Sequence, residues 1–238
     1  MGGDLSPSAA SSSRPRLFFA LWPSAVFQAT LAAATRDVVL ACGGRCVPAA
    51  NFHVTLAFLG SMAEHRIRAL LAVARSVAHD SGSEHTGSDG ALKSEAFGLG
   101  QCGVTLEFDR IEYWRKPRLL CATAGDKGES TGQRPESDVR QSGAGALARL
   151  LKSRLTAAGF SLDAKPFRAH VTLARKVMSG PESPSGAGSD ELVMRPIRWT
   201  FTDFALVDSL TAPGGSLYSV LDSWPLCTKS AQKPGKKG

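Results

Sequence analysis

Asn51-Phe52-His53-Val54-Thr55-Leu56-Ala57 in the first half of the chain recurs as Arg168-Ala169-His170-Val171-Thr172-Leu173-Ala174 in the second, with His-Val-Thr-Leu-Ala common to both. Internal repetition of this kind points to two similar structural units. The β-branched and aliphatic residues favour extended backbone, and the side chains of a strand alternate between its faces. His53 and Thr55 therefore project to one side and Val54 and Leu56 to the other. His170 and Thr172 repeat the arrangement, so each copy offers an imidazole and a hydroxyl to a cleft and buries its aliphatic side chains.

Around this repeat lie short patterned segments. Helical spacing is clearest over 63–78, where Ile67, Leu70, Leu71, Ala74, Val77 and Ala78 form one apolar stripe. The pattern returns over 146–158, with Leu147, Leu150, Leu151 and Leu155, and Gly159 stands where a helix C-terminus favours glycine. A third helix is expected over 24–40, with Pro23 and Ser24 at its start. Strands are expected at 16–21, 52–58, 104–108, 118–123, 169–175, 199–208 and 216–221. Helices and strands interleave, which favours an α/β or α+β architecture over a sandwich or a bundle. The Gly-, Ser- and charge-rich stretches 1–13, 80–90, 125–143 and 179–190 and the Lys/Gly tail from 228 carry too little apolar surface to pack and are expected to be loops or disordered tails.

With 238 residues, 43% of them hydrophobic, the chain can bury a core as one large domain or two small ones. Its net charge of +7 resembles that of a nucleic-acid binder, but Lys229, Lys233, Lys236 and Lys237 in the acid-free tail supply four of those charges. An argument for a phosphate ligand therefore has to come from individual residues. Five scattered cysteines do not make a disulfide framework and fit a reducing compartment. Cys42 and Cys46 lack a second ligand pair at zinc spacing, so no metal site is expected. The apolar run 17–22 is too short to cross a membrane, and residues 1–13 hold no basic residue, so neither a membrane span nor a signal peptide fits and a cytoplasmic protein is expected.

A single His on a strand is ordinarily structural; two in matched contexts ask for chemistry. If the two copies face each other across a pseudo-twofold axis, one neutral imidazole can take a proton from water while one imidazolium protonates a leaving oxygen. Histidine suits both tasks because its unperturbed pKa is about 6.5. Thr55 and Thr172 can donate to the non-bridging oxygens of a phosphodiester, where charge builds in the transition state. Arg175 would fit the same oxygens, yet it lies five residues after His170 and falls on the opposite face of a regular strand. A β-bulge would correct the parity. The first copy has Phe58 at the equivalent place, where its ring, like that of Phe18, could stack on a nucleobase. Trp114 and Trp199 read as packing residues, Lys116 and Arg118 as solvated cations, and His65, His79 and His85 as uninvolved.

The paired motifs resemble those of the two-histidine phosphoesterases, and specifically the RNA 2′,3′-cyclic phosphodiesterases once described as 2′-5′ RNA ligases. Further similarity runs through Arg16-Leu17-Phe18-Phe19-Ala20-Leu21-Trp22-Pro23, Val47-Pro48-Ala49-Ala50-Asn51-Phe52, Ala57-Phe58-Leu59-Gly60, Tyr113-Trp114-Arg115-Lys116-Pro117-Arg118, and the closing segments with Val207-Asp208-Ser209, Tyr218 and Trp224-Pro225-Leu226. The resemblance implies a bilobal, pseudo-symmetric α+β fold over 14–227, with two small antiparallel sheets, outer helices and a central cleft, between tails 1–13 and 228–238. It implies His53 as general acid, His170 as general base, and Thr55, Thr172 and Arg175 as phosphate ligands. It further implies no cofactor and, as partner, an RNA ending in a 2′,3′-cyclic phosphate, such as a tRNA fragment, opened by a monomer to a 2′-phosphate. Joining of RNA halves by the reverse reaction, or non-catalytic binding of RNA ends, are the alternatives.

Overall fold

Residues 14–82, 103–124, 143–163, 165–180, 190–212 and 215–226 are described by a computed structural model of the chain. In chain order they form β1 (Arg16–Leu21), α1 (Ala25–Ala41), β2 (Arg45–Cys46), a 3-10 turn (Ala49–Asn51), β3 (Val54–Ser61), α2 (Glu64–Gly82), β4 (Val104–Trp114), β5 (Leu119–Ala124), α3 (Gly143–Ala157), β6 (His170–Arg175), β7 (Glu191–Phe201), β8 (Asp203–Ala212) and β9 (Gly215–Pro225). The architecture is α+β.

All strand pairings are antiparallel, in the order β7-β4-β5-β6-β3-β1-β8-β9, with β2 added beside β6. The two small sheets implied by the resemblance are present as two four-stranded runs, one ending in β6 and the other in β3. A single pair, Val54 opposite Val171, joins them into one curled sheet. The two repeated motifs thus lie side by side about a local twofold. One step from that pair along each strand come His53 and Thr172 on one side and Thr55 and His170 on the other.

The helices cover the sheet face that receives Val54 and Val171, both fully buried. Ser24 starts α1 by accepting a hydrogen bond from the Phe27 backbone N–H at 3.3 Å. Phe27, Gln28, Leu31 and Thr35 form its buried face, and the Phe27 ring packs on those of Phe108, Trp199 and Phe201 at centroid distances of 5.6, 5.0 and 6.5 Å. In α2, Leu70, Ala74 and Val77 are buried, as are Leu147, Leu151 and Leu155 in α3, in line with the stripes read from the sequence. The opposite face carries a smaller cluster of Phe18, Ala20, Ala205 and Val207, with Trp22 and Tyr218 against it.

Several boundaries differ from expectation. The segment 80–90 begins in helix, because α2 runs on to Gly82, where Asp80 accepts an ion pair from Arg154 of α3 at 2.5 Å. Likewise Gly143, expected in a loop, opens α3. The single strand expected over 199–208 is two strands separated at Thr202, and β7 starts as far back as Glu191, where charged residues on its exposed side hide the alternation. β4 extends to Trp114. The remaining residues of 80–90, 125–143 and 179–190, and the segments 1–13 and 228–238, lie outside the described residues.

Candidate active site

His53 immediately precedes β3 and His170 opens β6. Their rings are held in the same way. The Nδ1 of His53 lies 2.7 Å from the carbonyl of Asn51, and that of His170 lies 2.8 Å from the carbonyl of Arg168. A carbonyl only accepts, so Nδ1 carries the proton in each ring and Nε2 is left as the basic, outward nitrogen. The neutral His53 ring then accepts at Nε2 from the Thr55 hydroxyl, 3.1 Å away.

The residue that supplies each carbonyl is itself anchored. Asn51 donates through its side-chain amide to the carbonyl of Ser216 at 2.9 Å. Arg168 donates to Glu112 Oε1 at 2.6 Å. Glu112 is 9% exposed and also accepts from the Thr123 hydroxyl at 2.8 Å and the Trp114 indole N–H at 3.0 Å. The Trp114 ring in turn packs against His170 at 4.5 Å and beneath the Arg168 guanidinium at 5.3 Å. Around His53 stand Trp22, stacked at 5.4 Å and 7°, Tyr218 edge-on at 5.2 Å, and Phe18 at 4.9 Å.

Both motif strands contain the same irregularity. On β3 the register passes from Ala57 opposite Phe19 to Thr55 opposite Ala20, leaving Leu56 extra. On β6 it passes from Ala174 opposite Leu120 to Thr172 opposite Cys121, leaving Leu173 extra. Leu56 and Ala57 are consecutive buried residues, as are Leu173 and Ala174. Each bulge restores the parity, so Phe58 and Arg175 come round to the face of the histidines and threonines. Simple alternation placed Arg175 on the wrong face; the bulge is what re-aims it. Its charge acts on both imidazoles.

Burial pushes the His53 pKa down to about 4, with the His170 and Arg175 charges adding to the fall against the Asn51 carbonyl bond, which raises it. Burial likewise lowers that of His170, helped by Arg168 and Arg175 and opposed by the Arg168 carbonyl bond and by Glu112. Thr172 hydrogen-bonds the Cys121 thiol across the strands, and burial pushes that thiol up to about 12, well away from a nucleophile's range.

Six of the seven residues singled out from the sequence, His53, Thr55, His170, Thr172, Arg175 and Phe18, gather on this face. Phe58 joins them at the margin, 46% exposed, opposite Phe18 in register and with Arg16 over its ring at 5.7 Å. Trp199 packs on Phe27, as expected, whereas Trp114 packs on His170 itself. Arg118, expected as a solvated cation, donates to the Val177 carbonyl at 3.0 Å. His65 and His79 lie on α2, away from the site, and His85 lies outside the described residues. Trp22, Tyr218, Glu112, Arg168 and Cys121 were not singled out. β4 carries Glu107, Asp109 and Arg110 as well, so nothing in its sequence set Glu112 apart. No helix among the described residues is long and apolar enough to cross a membrane.

The family model described as LigT-like phosphoesterase matches residues 21–84. An RNA 2′,3′-cyclic phosphodiesterase of Escherichia coli is 26% identical over 185 residues, which is 77% of this chain and 80% of that protein. A protein of the same name from Thermus thermophilus is 26% identical over 226 residues, 93% of this chain and 98% of its own. The crystal structure of Escherichia coli LigT complexed with 3′-AMP superposes with a TM-score of 0.59 at 25% identity, over 90% of this chain and 99% of that one. A Thermus thermophilus crystal structure superposes at 0.60 and 23% identity over the same shares, a likeness of fold.

Proposed function

We propose, for a chain related in sequence and fold to the LigT-like phosphoesterases, that it hydrolyses RNA 2′,3′-cyclic phosphate ends to 2′-phosphate ends with the two histidines as acid and base. The observation that carries this is the duplicate mounting of the rings: each Nδ1 is tied to the carbonyl two residues back, and each Nε2 is left for proton transfer, that of His53 beside the Thr55 hydroxyl. The activity in the names of the two relatives supports the same substrate.

In the reaction His170 Nε2 takes a proton from water as the water oxygen bonds to phosphorus. The bond from phosphorus to the 3′ oxygen breaks, and His53 Nε2 gives that oxygen its proton, leaving the phosphate on the 2′ oxygen. Thr55, Thr172 and Arg175 neutralise the charge that collects on the non-bridging oxygens. The chain's own groups thus supply both proton transfers and the charge stabilisation, and no metal or cofactor is assigned a step. Phe18 and Phe58, together with Trp22 and Tyr218, line the His53 side, where a base can stack. Because burial holds His53 well below its ordinary range, its acid role depends on the anionic phosphate between Arg175 and the two rings to favour the imidazolium.

The test is hydrolysis of cytidine 2′,3′-cyclic phosphate in excess EDTA by wild type, His53→Ala and His170→Ala. Each replacement is expected to lower kcat by about 10²–10⁴-fold, the usual worth of a general acid or base. Undiminished turnover in either variant would remove that histidine from the mechanism, and loss of wild-type activity in EDTA would show that the protein groups are insufficient. Predominant joining of tRNA halves would assign the reverse reaction.

A further inference from the structure

We propose that Arg45 forms a second phosphate subsite beside Arg175, one that takes the phosphodiester next to the cyclic end and so makes the chain prefer oligonucleotides over mononucleotides. The inference rests on the reading above only in that Arg175 is taken to meet the terminal phosphate.

β2 is two residues long, and its register sets Arg45 directly opposite Arg175 on β6. Residues opposed in an antiparallel pair share a face at a Cα separation of roughly 5 Å. The Leu173 bulge turns Arg175 to the histidine face, so Arg45 is carried to that face with it. Both side chains are exposed, and among the described residues neither has a carboxylate partner. Like charges opposed in this way destabilise a strand pair, and a short strand has little other reason to hold them together. Two adjacent phosphates of one RNA strand would remove the repulsion, with one guanidinium for each.

A second observation fixes where Arg45 reaches. Its guanidinium lies over Gly215, at the start of β9 in the other half of the sheet, where an added Cβ would stand 2.5 Å from a guanidinium nitrogen. Gly215 also has φ +136°, a conformation that side chains rarely adopt. The β8–β9 hairpin is itself tied to the His53 approach, since Ser216 accepts from Asn51. Arg45 therefore spans from the Arg175 side of the site to the hairpin on the His53 side. It stands at the mouth, where a chain leaving the cleft passes.

The test compares the dinucleotide CpC ending in a 2′,3′-cyclic phosphate with cytidine 2′,3′-cyclic phosphate, and in parallel the binding of CpC 2′-phosphate with that of cytidine 2′-phosphate, at 50 mM salt. Wild type is expected to favour the dinucleotide about tenfold in both kcat/KM and affinity. In Arg45→Ala the ratio should fall toward one, in Arg45→Lys it should fall only partly, and the salt dependence of dinucleotide binding should lose about 0.7 from its log–log slope, one phosphate contact on a single strand. A ratio of one in wild type, or the same ratio in Arg45→Ala as in wild type, would overturn the subsite. The binding arm decides this even if neither cyclic phosphate is hydrolysed, an outcome that would instead refute the proposed reaction.

Discussion

The carboxylate of Glu112 touches nothing that reacts, yet it gathers the groups that hold His170. Arg168 lends the ring its carbonyl and Trp114 packs against it, and both donate to Glu112. Its negative charge also favours the His170 imidazolium. In Glu112→Gln one amide hydrogen faces donors, and a buried donor left without an acceptor costs about 1–3 kcal/mol. The predicted outcome is a fall in kcat of roughly tenfold, the scale of a 1.4 kcal/mol loss, with a shift in pH dependence. Since both histidines lie below their ordinary range, the singly protonated pair peaks on the acid side of 6.5, and kcat/KM should decline from there toward pH 8. Removing the Glu112 charge lowers His170 further, so the alkaline limb of the profile should move to lower pH. An unmoved limb would reduce Glu112 to a packing role, and a profile flat from pH 5 to 8 would contradict paired acid–base catalysis.

Among the elements, α1 does more than cover the sheet. Gln28, 7% exposed, donates its side-chain amide to the carbonyls of Ala50 and Phe52 at 3.2 and 3.3 Å. These residues flank Asn51, whose carbonyl orients His53. The helix thus reaches the His53 ring through a 3-10 turn. In Gln28→Met, with similar volume and no donor, the two carbonyls lose their partner, and stability should drop by about 1–3 kcal/mol. Activity should fall through kcat more than KM; urea unfolding and steady-state kinetics on the same preparation would separate the two effects, and unchanged kcat would disconnect α1 from the site. The bulges at Leu56 and Leu173 belong to this scale as well. They re-aim one residue each, and because those residues differ, Phe58 and Arg175, a symmetric scaffold presents an aromatic ring on one side and a cation on the other.

Across the whole molecule, two four-stranded runs meet at one residue pair, Val54 and Val171, so folding brings both histidines onto one half-enclosed face. That arrangement ties stability to pH. The folded state holds His53 at about 4 against 6.5 when unfolded, so the unfolded chain binds more protons between those values. The stabilisation is fully present above 6.5 and is lost as pH falls through 4. Over that span it amounts to on the order of 3 kcal/mol for this residue, at 1.36 kcal/mol per unit. Urea unfolding at pH 7.5 and 4 should show wild type losing that much more than His53→Gln; equal losses would mean that His53 is not held neutral by the fold.

The sequence by itself determined the repeated motif, the three amphipathic helices, a mixed helix-and-strand architecture and most of the cleft residues, because strand alternation and helical periodicity are local properties legible along the chain; the choice of α+β over α/β came with the family resemblance. His53, Thr55, His170 and Thr172 needed nothing more than parity within one strand. Tertiary structure decided what depends on neighbours distant in sequence. A bulge is defined by the partner strand's register, so Arg175 could not be placed from spacing alone. Glu112 meets Arg168 across 56 residues and Gln28 meets the His53 turn across 24. Burial depressed both imidazoles, and burial comes only when the two halves of the sheet close on each other.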